Sequence, residues 1–67
     1  MLTSDGGPSG STLCASESGI CSFTGTHLVA FGANGQFDYR FGTGSIACNT
    51  STFGDPTLNV SKKCYYL

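Results

Sequence analysis

Sixty-seven residues with three basic and four acidic side chains, a formal charge of −1 and 39% apolar residues allow one small domain at most. Arg40, Lys62 and Lys63 are too few to converge on a phosphate backbone or to drive a cationic membrane-active peptide. No apolar run approaches the ~20 residues of a membrane-spanning helix, so neither nucleic acid nor membrane insertion is expected.

Residues 1–12, MLTSDGGPSGST, have the composition of a flexible linker or an added tail, with Asp5-Gly6-Gly7-Pro8 interrupting any regular element. Met1-Leu2-Thr3-Ser4 lacks the basic start and apolar stretch of a signal peptide. An excised module carrying its tether is the expectation, with a mature peptide as the alternative.

The folded unit, 13–67, starts at Leu13-Cys14. Four cysteines, Cys14, Cys21, Cys48 and Cys64, stand seven, twenty-seven and sixteen residues apart. A zinc site would want cysteines two to four residues apart or a nearby histidine, and His27 is the lone histidine. Two disulfides are expected instead, each worth about 2–4 kcal/mol, in an oxidising, extracellular setting. Three pairings are possible; Cys14–Cys21 and Cys48–Cys64 are favoured because each closes a local loop.

Between Cys14 and Cys21, Ser18-Gly19 marks a turn. Cys21-Ser-Phe-Thr reads as a short strand ending at Gly25, followed by a hairpin whose arms run over Thr26–Phe31 and Gln36–Phe41. Asn34-Gly35 at its tip is a strong signal for a type I′ turn, which needs positive φ at both central residues. Gly42-Thr-Gly44 turns into a third short strand, Ser45–Cys48. Asn49–Pro56 reads as loop, Leu58-Asn-Val60 alternates again, and Cys64–Leu67 is a final strand. No segment carries a sustained 3.6-residue apolar period. The fold class expected is all-β: short antiparallel strands and hairpins stapled by disulfides into a compact sandwich or barrel-like unit.

A two-residue turn fixes the hairpin register, pairing Ala33 with Gln36, Phe31 with Asp38 and Val29 with Arg40. Leu28, Ala30, Phe37, Tyr39 and Phe41 then share one face, which suits a core. His27, Val29, Phe31, Asp38 and Arg40 share the other, which mixes a ring with charged groups as sugar recognition requires. Phe31, Asp38, Arg40, His27, Tyr39 and Asn34 are the candidate ligand-binding residues. The structural alternative is a solvated face at Asp38 and Arg40, with Phe31 under a loop. A three-residue loop with a bulge would exchange the faces and expose Phe37 and Tyr39.

Glu17 and Asp55 could in principle do acid/base chemistry, but so small a unit offers little pocket, and Asp before Pro is a common turn feature. Calcium at Asp38, Asp55 and Glu17 lacks a spaced ligand loop. His27 has no serine–acid partner. Asn49-Thr-Ser51 and Asn59-Val-Ser61 match glycosylation acceptors. Tyr65-Tyr66 could extend a surface, with one of the two pointing inward. No catalytic residue, cofactor or metal is expected.

Residues 13–64 resemble a small cysteine-containing module appended to secreted bacterial and some fungal polysaccharide-acting enzymes. The likeness rests on Cys14-Ala-Ser-Glu17, Cys21-Ser-Phe23 with Gly25, Val29, Phe31-Gly32-Ala33, Gly44, Ala47-Cys48-Asn49, Phe53-Gly54-Asp55-Pro56, Val60 and Lys63-Cys64. It departs at Thr12-Leu13, where that module has an aromatic residue, often tryptophan, and at Ala30, where it has a basic one. The resemblance implies a non-catalytic carbohydrate-binding or lectin-like domain that targets a larger secreted protein to a polysaccharide. Affinity through one small face would be weak, so tethering to a catalytic domain or self-association would supply avidity. The alternative is a protein-interaction or structural cap domain without glycan binding.

Overall fold

The computed structural model describes residues 2–57 and 59–67. Its elements are β1 (Thr12–Ser16), β2 (Ile20–Ala33), β3 (Gln36–Ala47), a single helical turn α1 (Thr50–Phe53) and β4 (Lys63–Tyr66). The four strands form one antiparallel sheet of order β1-β4-β2-β3. The all-β, disulfide-stapled class is therefore the one the sequence implies, while a single open four-stranded sheet stands in place of the expected sandwich or barrel-like arrangement. The second layer is built from residues 48–57 and 59–62, with Cys48 and Phe53 packed on one face of that sheet.

The hairpin forms where Asn34-Gly35 places it. Both residues hold positive φ, 54° and 81°, and every pair from Ala33–Gln36 down to Thr26–Thr43 has the expected register. Its arms are longer than the sequence suggests, because neither Gly25 nor Gly42-Thr-Gly44 ends a strand. Phe23-Thr-Gly25 instead bulges opposite Gly44, between the pairs Ser22–Ser45 and Thr26–Thr43, with Gly25 and Gly44 at φ 78° and 77°. Such an insertion bends the strand without terminating it. The Oγ1 atoms of Thr26 and Thr43, 2.8 Å apart, close the ladder above the bulge.

Segment 48–62 contains a turn of helix where the sequence indicates only loop. The Asn49 side chain caps it by accepting from the Thr52 N–H at 2.9 Å, and Gly54, at φ 93°, ends it. The extended segment expected around Val60 is absent: 59–62 contains no strand, and Leu58 lies outside the described residues. Phe53 from α1 stacks on Phe31 of β2, ring centroids 5.1 Å apart. Around this pair lie the buried Val29, Cys21, Cys48 and Cys64, with Cys14, Ala15, Phe23, Ile46 and Tyr66 at the margin.

Both favoured disulfides are present. Cys14–Cys21 ties β1 to β2 (Cα–Cα 5.0 Å), and Cys48–Cys64 ties the covering segment to β4 (5.9 Å). The 17–19 turn docks on the same layer: Glu17 N–H donates to Lys62 O, and Ser18 N–H to Cys48 O.

The hairpin's faces are the reverse of the sequence expectation. Val29 and Phe31 are fully buried, and on β4 they pair with Tyr66 and Cys64, so theirs is the inner face. Leu28, Ala30, Gly32, Phe37, Tyr39 and Phe41 occupy the outer face with Tyr65, Leu13 and Leu67. Strand β1 begins at Thr12, one residue before the expected boundary. Residues 2–11 fold back on themselves through the Leu2–Pro8 bridge and the bond from Thr3 N–H to Gly7 O, and they lie against Tyr65.

Candidate ligand-binding face

Strand alternation sets Phe37, Tyr39 and Phe41 on one side of β3, spaced about 6.5–7 Å apart along the strand. Phe41 is 73% exposed and Tyr39 43%. Phe37 is half-buried, its ring meeting Tyr65 edge-on at 5.9 Å. Leu13 and Leu67 are also exposed on this face. Ala30 is buried there because it sits between Tyr39 on one neighbouring strand and Tyr65 on the other. The outer face is thus a shallow apolar surface with two open rings along its β3 side.

At the hairpin-tip end of this face lies a cavity of about 190 Å3. Gly32 and Ala33 line it, with Asp5, Gly6, Asn34, Ser61, Lys63 and Tyr65 around them. Gly32 has no room for a side chain, since a Cβ would overlap the Gln36 carbonyl. The 2–11 segment supplies one wall. Tyr65 Oη donates to Asp5 O at 3.0 Å, and Gly7 packs so closely on the Tyr65 ring that a Cβ would overlap it. Burial raises the Tyr65 pKa above its ordinary 10.0, and the nearby Asp5 charge raises it further.

The expected site residues divide between the two faces. Tyr39 stands on the outer face and Asn34 at the cavity rim. Phe31 is a core ring with no exposed surface, which removes it as a sugar platform. Asp38 lies on the inner face at the β3 edge, half-buried, its Oδ2 facing Gly54. Arg40 is exposed, and its Nη1 donates to the neighbouring Tyr39 carbonyl at 2.8 Å. His27 packs between Phe23 and Tyr66, centroids 5.0 Å from each, with Nδ1 2.7 Å from Leu67 O and Nε2 3.0 Å from Thr24 O. Those contacts hold Leu67 beside Thr24 and turn both ring nitrogens toward backbone oxygens and away from the outer face.

Phe31, Asp38, Arg40 and His27 therefore do not form one surface with Tyr39. The reason is the edge position of β3: Asp38 and Arg40 reach water sideways past the core, so their polarity does not mark an outward face. Phe37, Phe41, Lys63, Ser61 and Asp5 complete the outer surface instead. For the first two, the available signal is their shared parity with Tyr39.

Glu17 and Asp55 do meet, but at a cation. Both carboxylates approach the buried Lys62 ammonium, at 3.8 and 3.1 Å. Among the described residues no group of three His, Cys, Asp or Glu side chains is placed to hold a metal ion.

No protein-family model matches the chain, and no solved structure matches it. The chain is similar to an uncharacterized protein of Acanthamoeba polyphaga mimivirus, 36% identical over 64 residues, an alignment covering 92% of this chain and 31% of that protein. The chain thus spans about a third of that relative's length.

Proposed function

We propose that the chain is a non-catalytic carbohydrate-binding module that holds a polysaccharide against its outer sheet face and directs a larger secreted protein to that polymer. One observation carries the reading: Tyr39 and Phe41 present open rings at alternate positions of a single strand. Aromatic faces suit the C–H surfaces of sugar rings, and a strand sets them in line at a fixed spacing. Two disulfides fit a protein that works in an oxidising compartment. The resemblance in the cysteine and glycine pattern points the same way.

Pull-down with insoluble polysaccharides, paired with a glycan array, tests this on the oxidised protein. Selective retention by one polymer class is expected. Phe41→Ala and Tyr39→Ala should each weaken it about tenfold, the scale of one lost aromatic contact, while Arg40→Ala leaves it unchanged. A folded protein that binds no glycan would overturn the reading and favour the protein-interaction cap, for which the same exposed rings would meet a protein surface.

A further inference from the structure

The 190 Å3 cavity beside Gly32 continues the aromatic row, because Gly32 pairs with Phe37 on one side and with Lys63 on the other. Resting on the glycan reading, we infer that this cavity takes a single neutral sugar ring, the end of a chain that lies along Phe41 and Tyr39.

Size limits the occupant first. Sites for drug-sized ligands span about 300–1,000 Å3, so this cavity accepts one ring and not a chain passing through. The 2–11 segment closes one side, held by the bond from Tyr65 Oη to Asp5 O, which makes the cavity a terminus of the row.

Chemistry limits it next. The polar residues that line it carry a carboxylate (Asp5), an ammonium (Lys63), an amide (Asn34) and a hydroxyl (Ser61), while the Tyr65 hydroxyl is already spent on Asp5 O. Asp5 only accepts hydrogen bonds, Lys63 only donates, and the other two do both. A sugar hydroxyl both donates and accepts, so it satisfies every one of them. A uronate would gain from Lys63 what it loses to Asp5, and a protonated amino sugar would gain from Asp5 what it loses to Lys63; neither is repaid for desolvating its charge, so both are disfavoured.

These groups are free to act. Among the described residues Lys63 has no ion-pair partner, whereas its neighbour Lys62 has two. Asp5 contributes its backbone carbonyl to Tyr65, which leaves the carboxylate unengaged among the same residues.

The test is titration calorimetry of the full, oxidised chain with hexamers of glucose, xylose and mannose, and with hexamers of galacturonic acid and glucosamine as charged probes. At least one neutral hexamer should bind, and both charged hexamers more weakly. Lys63→Ala, Asp5→Asn and Ser61→Ala should each weaken the neutral ligand about fivefold, as for one net hydrogen bond. Asp5→Asn should also bring galacturonic acid hexamer binding closer to the neutral value. All three residues are exposed, and near-ultraviolet circular dichroism would confirm that the fold is intact.

Neutral hexamer binding that responds to Phe41→Ala but to none of the three cavity variants overturns the cavity inference and leaves the face reading standing. Tighter binding of a charged hexamer overturns the neutral assignment. No binding of any hexamer or polymer by the unaltered chain overturns the face reading and the inference together.

Discussion

Lys62 shows how much one side chain can hold in so small a protein. Its side chain is only 3% exposed, and its ammonium meets Asp55 Oδ1 at 3.1 Å and the carbonyls of Val60 and Thr57 at 2.7 and 2.9 Å. Glu17 accepts the Lys62 backbone N–H at 3.0 Å and approaches the ammonium as well. One cation therefore fastens the 17–19 turn to Asp55, Thr57 and Val60 over the core ring Phe31. Lys62→Met should lower unfolding stability by about 1–3 kcal/mol, the cost of unmade charged hydrogen bonds, since both carboxylates keep a third of their surface in water. Lys63→Met, one residue on, should change the denaturation midpoint little. Two adjacent lysines look alike in a sequence; only the position of β4 decides which one turns inward. Tyr65 carries the second expectation at this scale. Its pKa is raised in the folded state, so its contribution is fully present below pH 10 and is lost as pH rises through the elevated folded value. Thermal unfolding of Tyr65→Phe between pH 8 and 12 should lack that part of the alkaline decline.

At the level of elements, the hairpin was legible and its orientation was not. Asn34-Gly35 has one good backbone solution, and that solution determines every pair down to Thr26–Thr43. Which face turns inward depends on information farther along the chain. Cys21, Val29 and Phe31 share a side because the Phe23–Gly25 bulge, three residues against one, preserves alternation across the bend. Reading Gly25 as a strand end severs that link, and with it the clue that the face shared with the disulfide-bonded Cys21 is the inner one. The expected site carries the same inversion, keeping Tyr39 and Asn34 while missing Phe37 and Phe41. The hairpin's own weak point is Gly32, where a side chain would overlap the Gln36 carbonyl. Gly32→Ala should cost about 1–3 kcal/mol, an overpacking penalty against backbone that has no rotamer to move. Gly10, where a methyl group would meet nothing within 4 Å, offers a control for glycine replacement at the surface once its φ of 83° is taken into account. Denaturant midpoints of the two variants would separate collision from backbone strain.

For the whole molecule, stability is concentrated on one side of the sheet. The disulfides, the Phe31–Phe53 stack and the Lys62 cluster all belong to the inner layer, while the outer face carries no cross-link. Removing Cys48–Cys64 by paired alanines should cost about 3 kcal/mol, and removing Cys14–Cys21 about 2 kcal/mol, because the first closes sixteen residues and the second seven. Unfolding midpoints of the two double variants would check that order. All-β class, cysteine pairing and hairpin register could be read from local spacing. The sheet order could not, since β4 reaches β1 and β2 from the opposite end of the chain and no short-range pattern encodes that return.

That return has a consequence for how the protein is made. The last of the four strands to be synthesised is an interior strand, so β1 has no lateral partner until residues 63–66 have left the ribosome. Until then the sheet is only the β2–β3 ribbon, and Cys48 has no Cys64 to meet. Oxidation of the thiols in order of emergence would join Cys14 to Cys21 first, and so would guard the native pairing while the nascent chain waits for its centre.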